Sequence, residues 1–207
     1  MFLRSASLAV VFGAAMLATA TANATVLTYT DQATWAAAAG GPVTNTTTDS
    51  NGDSAILSSI QLDDGTTLDA NGDLVVVRIV PTSWATWSGG YSGVVYDVNF
   101  SNSITISLSG VSAFGFEIEP APQSLHTITL MLSDGQTIIQ SVDGNGGAKF
   151  FGWTGETIDS FTISSDTDVA FGNIYSVRAA NAAPEPFTLA LLGAGLAGMG
   201  AIRRRKA

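Results

Sequence analysis

Glu117 and Glu119 stand two residues apart in "AFGFEIEP". In an extended strand that spacing puts both carboxylates on one face, about 6.8 Å apart by rise. A carboxylate pair at such a distance suits the acid and base roles of glycoside hydrolysis. A solvated strand face is the simpler reading of the same pattern. Asp49, Asn51 and Asp53, and again Asp69, Asn71 and Asp73, follow the pattern D-x-N-G-D. Oxygen ligands at alternate positions suit a hard cation such as Ca²⁺. Neither stretch is an EF-hand loop: Ser54 and Leu74 stand where glycine is required, and Ile60 and Val80 where a glutamate is required. Asn-Gly is also a tight-turn signal, because both residues tolerate positive φ, and turns are the simpler reading here.

His126 is the sole histidine, and there is no cysteine. A metal site around His126 therefore needs several carboxylates. A Ser-His-Asp triad is compatible with the composition, but no serine lies in a G-x-S-x-G elbow. Two aromatic clusters stand out: Trp84, Trp87 and Tyr91 in a Gly/Ser-rich stretch, and Phe150, Phe151 and Trp153. Rings on the edge of a sandwich stack on sugar faces, and Trp87 and Tyr91 are the first candidates for glycan contact. Core packing is the competing reading, and the commoner one in a small all-β domain. Trp84 and Trp87 are separated by an odd number of positions, so a regular strand sends them to opposite faces.

The elements that must position these groups read almost entirely as β. Val26 to Tyr29 forms a short strand. A helix near 31–39 follows, with Thr30 as its cap, Asp31 in its first turn and Gly40 as its stop. "GGPVTNTTTDSNGD" is loop chemistry. Strands are expected over Leu74–Val80, Val94–Phe100, Ile104–Leu108, Phe114–Ile118, Ile128–Leu132, Gln136–Val142, Ile158–Ile163 and Val169–Val177. Phe114, Phe116 and Ile118 share one face, leaving Gly115 and Glu117 on the other. Short runs between Gly, Asn and Asp turns predict an all-β, antiparallel sandwich.

Both ends differ from this middle. Arg4 is followed by an apolar run, Ala6 to Ala18, and then by "ANA" at Ala22 to Ala24. That is the layout of a secretory signal peptide over residues 1–24, with signal peptidase cutting between Ala24 and Thr25. At the other end Phe187 to Ile202 is 16 residues without a charge, roughly 24 Å as a helix. A hydrocarbon core is about 30 Å thick, so this predicted transmembrane helix is short for a permanent anchor. Arg203, Arg204, Arg205 and Lys206 follow at once and resist translocation. Pro184, Glu185 and Pro186 hold the chain extended just before the run, in reach of a processing enzyme.

Between these ends, residues 25–182 suit one domain. Arg78, Lys149 and Arg178 are its strong cations, against sixteen of the 17 acidic residues, Glu185 being the other, so its charge is near −13. Such a surface repels nucleic acid and anionic lipid and favours divalent cations and neutral partners. Without cysteine there is no disulfide, no thiolate nucleophile and no zinc-thiolate site. An exported domain of this kind rests on its core alone.

The order Pro-Glu-Pro, Leu/Gly/Ala-rich run and Arg cluster over residues 183–207 resembles the PEP-CTERM sorting signal of Gram-negative bacteria. The residues that carry the likeness are Pro184, Glu185, Pro186, Leu191, Leu192, Gly195, Leu196 and Arg203 to Arg205. The resemblance implies recognition by an exosortase, removal of the tail, and display on the surface or matrix of an exopolysaccharide-producing cell. "SWATWSGGYSGVVYDV", "VSAFGFEIEP", "SDGQ", "SVDGNGGAKFFGW" and "DVAFGNIYS" resemble a domain that recurs among such proteins. That likeness implies a jelly-roll-like β-sandwich and transfers no catalytic residue. The expected protein is a non-enzymatic surface or matrix protein in contact with exopolysaccharide. The alternatives are a polysaccharide-active enzyme using Glu117 and Glu119, and a calcium-stabilised scaffold.

Overall fold

The computed structural model of the chain describes residues 25–41, 43–45, 51–98, 101–121, 124–155 and 158–179. Two antiparallel sheets face each other. The eight-stranded sheet runs β1 (Leu27–Tyr29), β12 (Lys149–Thr154), β9 (Val111–Ala121), β14 (Asp168–Arg178), β7 (Val94–Asp97), β6 (Val75–Ile79) and β3 (Ile56–Leu57), and β2 (Thr44–Asn45) pairs β14. The six-stranded sheet runs β11 (Thr137–Asp143), β10 (Leu125–Leu132), β13 (Ser160–Ser165), β8 (Ser103–Ser107), β5 (Thr67–Asp69) and β4 (Ser59–Gln61). The all-β, antiparallel architecture expected from the sequence is present.

Period-2 alternation sets what lies between the sheets. Phe114, Phe116 and Ile118 of β9 point inward beside Phe151 and Trp153 of β12 and Phe171 of β14. They meet Phe161 and Ile163 of β13 and Ile128 and Leu130 of β10. Phe116 and Phe161 close the gap with ring centroids 5.0 Å apart, and Phe114 stacks on Trp153 at 5.3 Å. These tilted pairs avoid the disfavoured face-to-face sandwich, and Phe116 meets Trp153 edge-on.

The outer face of the larger sheet is buried as well. Gly115 and Gly152 sit opposite each other on β9 and β12, and the two bare positions form a floor. Helix α1 (Gln32–Ala38) lays Trp35 on it, and the indole N–H donates to the Trp153 carbonyl at 2.9 Å. A Cβ at Gly115 would lie 2.5 Å from the Phe150 ring, and one at Gly152 3.0 Å from the Trp35 indole. The helix begins one residue later than the sequence suggested. Asp31, not Thr30, is its cap, and its carboxylate accepts from the Thr34 N–H at 2.8 Å. A carboxylate serves as well as a hydroxyl there and also favours the positive end of the helix.

The predicted signal helix over 1–24 and transmembrane helix over 187–202 lie outside the described residues. Among the described residues no helix is long and apolar enough to cross a membrane. The doubly covered sheet predicts two stability losses in urea unfolding. Trp35→Ala should cost about 3–5 kcal/mol, and Gly115→Val about 1–3 kcal/mol through overpacking. Gly115→Val at wild-type stability would show that face to be open.

Candidate functional site

The other half of that outer face holds the two glutamates. Glu117 and Glu119 point away from the aromatic core, as their parity requires, but water does not cover them. Residues 80–93 cross over them as a strap, and Glu117 is 9% and Glu119 1% exposed. The reading of this strand face as solvated is therefore corrected. Small neighbours make room for the strap: Gly172 and Ala170 of β14 pair with Glu117 and Glu119. Val80, Trp84, Trp87, Val95, Ala148 and Ala170 form an apolar layer around the carboxylates.

Each carboxylate holds the strap by hydrogen bonds. The Trp87 indole N–H donates to Glu117 Oε2 at 2.6 Å, and the Asn173 amide donates to the same oxygen at 3.1 Å. Asn173 reaches it because β14 shifts register between Gly172 and Tyr175 and Asn173 takes φ 47°. Such a bulge re-aims one side chain out of the regular alternation. The Thr86 hydroxyl lies 2.5 Å from Glu119 Oε1 and 3.2 Å from the Gly144 carbonyl. Glu119 Oε2 is buried without a hydrogen-bond partner. Burial pushes the Glu119 carboxyl up to about 7, against the Thr86 hydroxyl and the Trp84 indole, which favour its charged form.

Trp84 and Trp87 are both buried, and the opposite-face expectation fails because the segment is not a strand. A short 3₁₀ turn at Ser88–Gly90 follows Trp87. Trp87 thus has little ring left open, at 9% exposed. Tyr91 is half-buried, packs on Trp87 with centroids 6.1 Å apart, and donates from its hydroxyl to the Val94 carbonyl at 2.8 Å. The second aromatic cluster is strand β12, which the sequence reading left without a strand assignment. The turn at Gly144–Gly146 braces the strap from that side: a Cβ at Gly147 would lie 2.8 Å from the Ser88 backbone nitrogen.

The remaining candidates fall elsewhere. Asp69 to Asp73 is a turn, with Asn71 at φ 52° and Gly72 at φ 94°. Asp69 accepts from the Asn71 N–H at 2.7 Å, and the Asn71 side chain is bonded to Thr105 and Ser107. Asp53 accepts from the Ser83 hydroxyl at 2.5 Å, tying the start of the strap to its neighbouring loop; Asp49 lies outside the described residues. His126 joins Ser124, two residues before it, to Asp166, forty residues after it. Its Nε2 is 2.6 Å from the Ser124 hydroxyl and its Nδ1 2.9 Å from Asp166. The connectivity is that of a serine nucleophile relay. The acid in such a relay is buried, however, and the Asp166 side chain is 71% exposed. The sequence reading also missed Thr86, Asn173 and Gly144. The Gly172-Asn173 pair inside a strand was the one available signal of an irregular backbone.

Residues 182–206 match the PEP-CTERM protein-sorting motif. The motif implies export, membrane anchoring before processing, and processing by an exosortase. Pro184, Glu185, Pro186 and Arg203 to Arg205 fall within it, outside the described residues. No curated protein matches the chain.

Glu119 predicts a pH dependence with a definite sign. Its carboxyl keeps its proton to about 7 in the fold against 4.5 in the free side chain. Its contribution to stability is fully present below the lower value and lost as pH rises through the higher one. Glu119→Gln should flatten that slope in a urea series across the interval. An unchanged slope would place an ionised carboxylate in the fold.

Proposed function

We propose that this chain is cut by signal peptidase between Ala24 and Thr25, then sorted by an exosortase to the cell surface or extracellular matrix of a Gram-negative bacterium. There the mature domain is a non-enzymatic protein in contact with exopolysaccharide. The sorting motif at residues 182–206 carries this reading. The acidic surface supports it, because it disfavours nucleic acid and anionic lipid as partners. Burial of Glu117 and Glu119 argues against a glycosidase: both carboxylates lie beneath the strap and hold it in place.

The surface that suits a glycan is the outer face of the six-stranded sheet. Ser103 faces Ser164 with hydroxyls 3.3 Å apart, and Thr105 faces Thr162 at 2.9 Å. Such cross-strand pairs fix donors and acceptors in rows. Thr129 of β10 and Ile139 of β11, 63% exposed, extend the face. The charged side chains directed outward by these strands are Asp69 and Asp143, at strand ends. A neutral polyhydroxylated chain replaces water on this face without desolvating a charge. Burial of Trp87 favours this face over the Trp87–Tyr91 pair.

The mass of the protein recovered from the cell surface tests the sorting route. It should begin at Thr25 and lack Arg203 to Lys206. Full-length chain in the cytosol would overturn the route. Affinity electrophoresis through matrix polysaccharide tests the contact. Thr105→Glu with Thr162→Glu should abolish retardation while Tyr91→Ala retains it. The opposite pattern would return the contact to the aromatic pair, and an unretarded wild-type protein would remove exopolysaccharide from the reading.

A further inference from the structure

A row of three oxygens runs from the large sheet to the Gly144 turn. Glu119 Oε1 lies 2.5 Å from the Thr86 hydroxyl oxygen, which lies 3.2 Å from the Gly144 carbonyl. A hydroxyl carries one proton, so Thr86 alone cannot fill both gaps. With Glu119 ionised, Oε1 and the Gly144 carbonyl are both acceptors, and one of the two contacts holds no proton. With Glu119 neutral on Oε1, its O–H donates to Thr86, and the Thr86 O–H donates to Gly144. Each gap then holds one proton.

The surroundings favour the same state. Glu119 is 1% exposed, its Oε2 is buried without a hydrogen-bond partner, and the Trp84 indole is the other donor turned toward the carboxylate. Glu117, two residues before it on the same face, is engaged by Trp87 and Asn173 and adds a second acidic group. Strand β14 contributes Asp168, in register with Ala121, and Tyr175. Strand β7 contributes Asp97, which Arg78 of β6 holds at 2.9 Å. The strap, residues 80–93, has no charged residue, and its titratable group is Tyr91. At the Gly144 turn, Asp143 accepts from the Asn145 N–H and Lys149 donates to the Ser141 carbonyl, while His126 and Asp166 pair with each other. Arg78, Lys149 and His126 are thus engaged away from Glu119. A buried carboxyl without a cation beside it keeps its proton.

We propose that the Glu119 proton is a pH-sensitive latch: Glu119 Oε1–H, the Thr86 hydroxyl and the Gly144 carbonyl form one directed chain that fastens the strap to the large sheet and the Gly144 turn to the strap. The Gly144 N–H continues the chain, donating at 3.1 Å to the carbonyl of Ser124, just before β10. The latch therefore reaches from the larger sheet to the smaller one. Burial pushes the Glu119 carboxyl up to about 7, so the latch works near neutral pH. The proton stabilises the fastened form. That stabilisation is complete below the ordinary value of 4.5 and is lost as pH rises through about 7. Deprotonation turns the Thr86 hydroxyl back to Glu119, releases the Gly144 carbonyl and leaves a buried charge beneath the strap. Opening of the strap hydrates that charge and uncovers the Trp84 and Trp87 rings. The latch is independent of where the protein is sorted and of whether it touches a glycan.

Residue-resolved hydrogen exchange of the full-length protein, corrected for the base-catalysed chemical rate, tests the latch. The amides followed are those of Trp84, Gly144 and Gly147, which bond the Ile79, Ser124 and Gly144 carbonyls. Their protection should fall about tenfold per pH unit between about pH 5 and 7 and level off above, as linkage to one proton requires. The Glu119 Cδ resonance should titrate over the same interval, well above the exposed carboxylates. Glu119→Gln keeps a donor in place of the acid O–H and should hold protection high throughout. Thr86→Val keeps the acid, removes the hydroxyl and should abolish the slope at Gly144 and Gly147. A Glu119 carboxyl already ionised at about pH 5, wild-type protection indifferent to pH, or a slope that survives Glu119→Gln would each overturn the proposal. A slope at Gly144 that survives Thr86→Val would overturn it as well, because the turn would then not be wired through that hydroxyl.

Discussion

Burial of both faces of the larger sheet is the constraint from which most of this structure follows. A sheet in a two-layer sandwich ordinarily gives one face to the core and the other to water. Here the second face is divided between Trp35 on its glycine floor and the strap on its two glutamates. Close approach at the first half requires bare backbone at Gly115 and Gly152. At the second half the strap arrives with indole and hydroxyl donors and needs acceptors beneath it. Glu117 and Glu119 supply them. The carboxylates are thus part of how a segment without regular strand pairing is fastened to a sheet, in a chain that has no disulfide to do so.

That fastening explains which parts of the fold were legible in the sequence. Alternation gave the parity of β9 correctly, with Phe114, Phe116 and Ile118 inward and Glu117 outward. It carried no information on what would later cover the outward face, because the strap approaches from about thirty positions earlier in the chain. The odd spacing of Trp84 and Trp87 misled for a related reason: parity rules apply to strands, and residues 80–93 are a string of turns. Strand β12 escaped notice because "KFFGWT" is apolar on both faces, as a strand covered on both sides must be. The two- and three-residue strands β2, β3, β4 and β5 are too short to show any period.

The site was legible by residue type and hidden by geometry. Two glutamates, two tryptophans and a tyrosine could be singled out, yet their relation to one another depends on long-range pairing. Asn173 meets Glu117 only through the register of β14 on β9 and the bulge within β14. Asp166 meets His126 only because β10 lies beside β13, whereas Ser124, two residues away, is a local neighbour. The Asn-Gly turn at Asn71, by contrast, is local chemistry, and there sequence and structure agree.

The register of the larger sheet also brings the two ends of the described chain together. Leu27 pairs with Thr154, Thr154 with Ala113, and Ala113 with Val177, so the chain enters and leaves the sandwich at one pole. Glu119, Ala121 and Asp168 mark the other. Entry and exit of the chain thus lie at the end of the sheet remote from the strap, and a substitution there leaves the strap's contacts untouched.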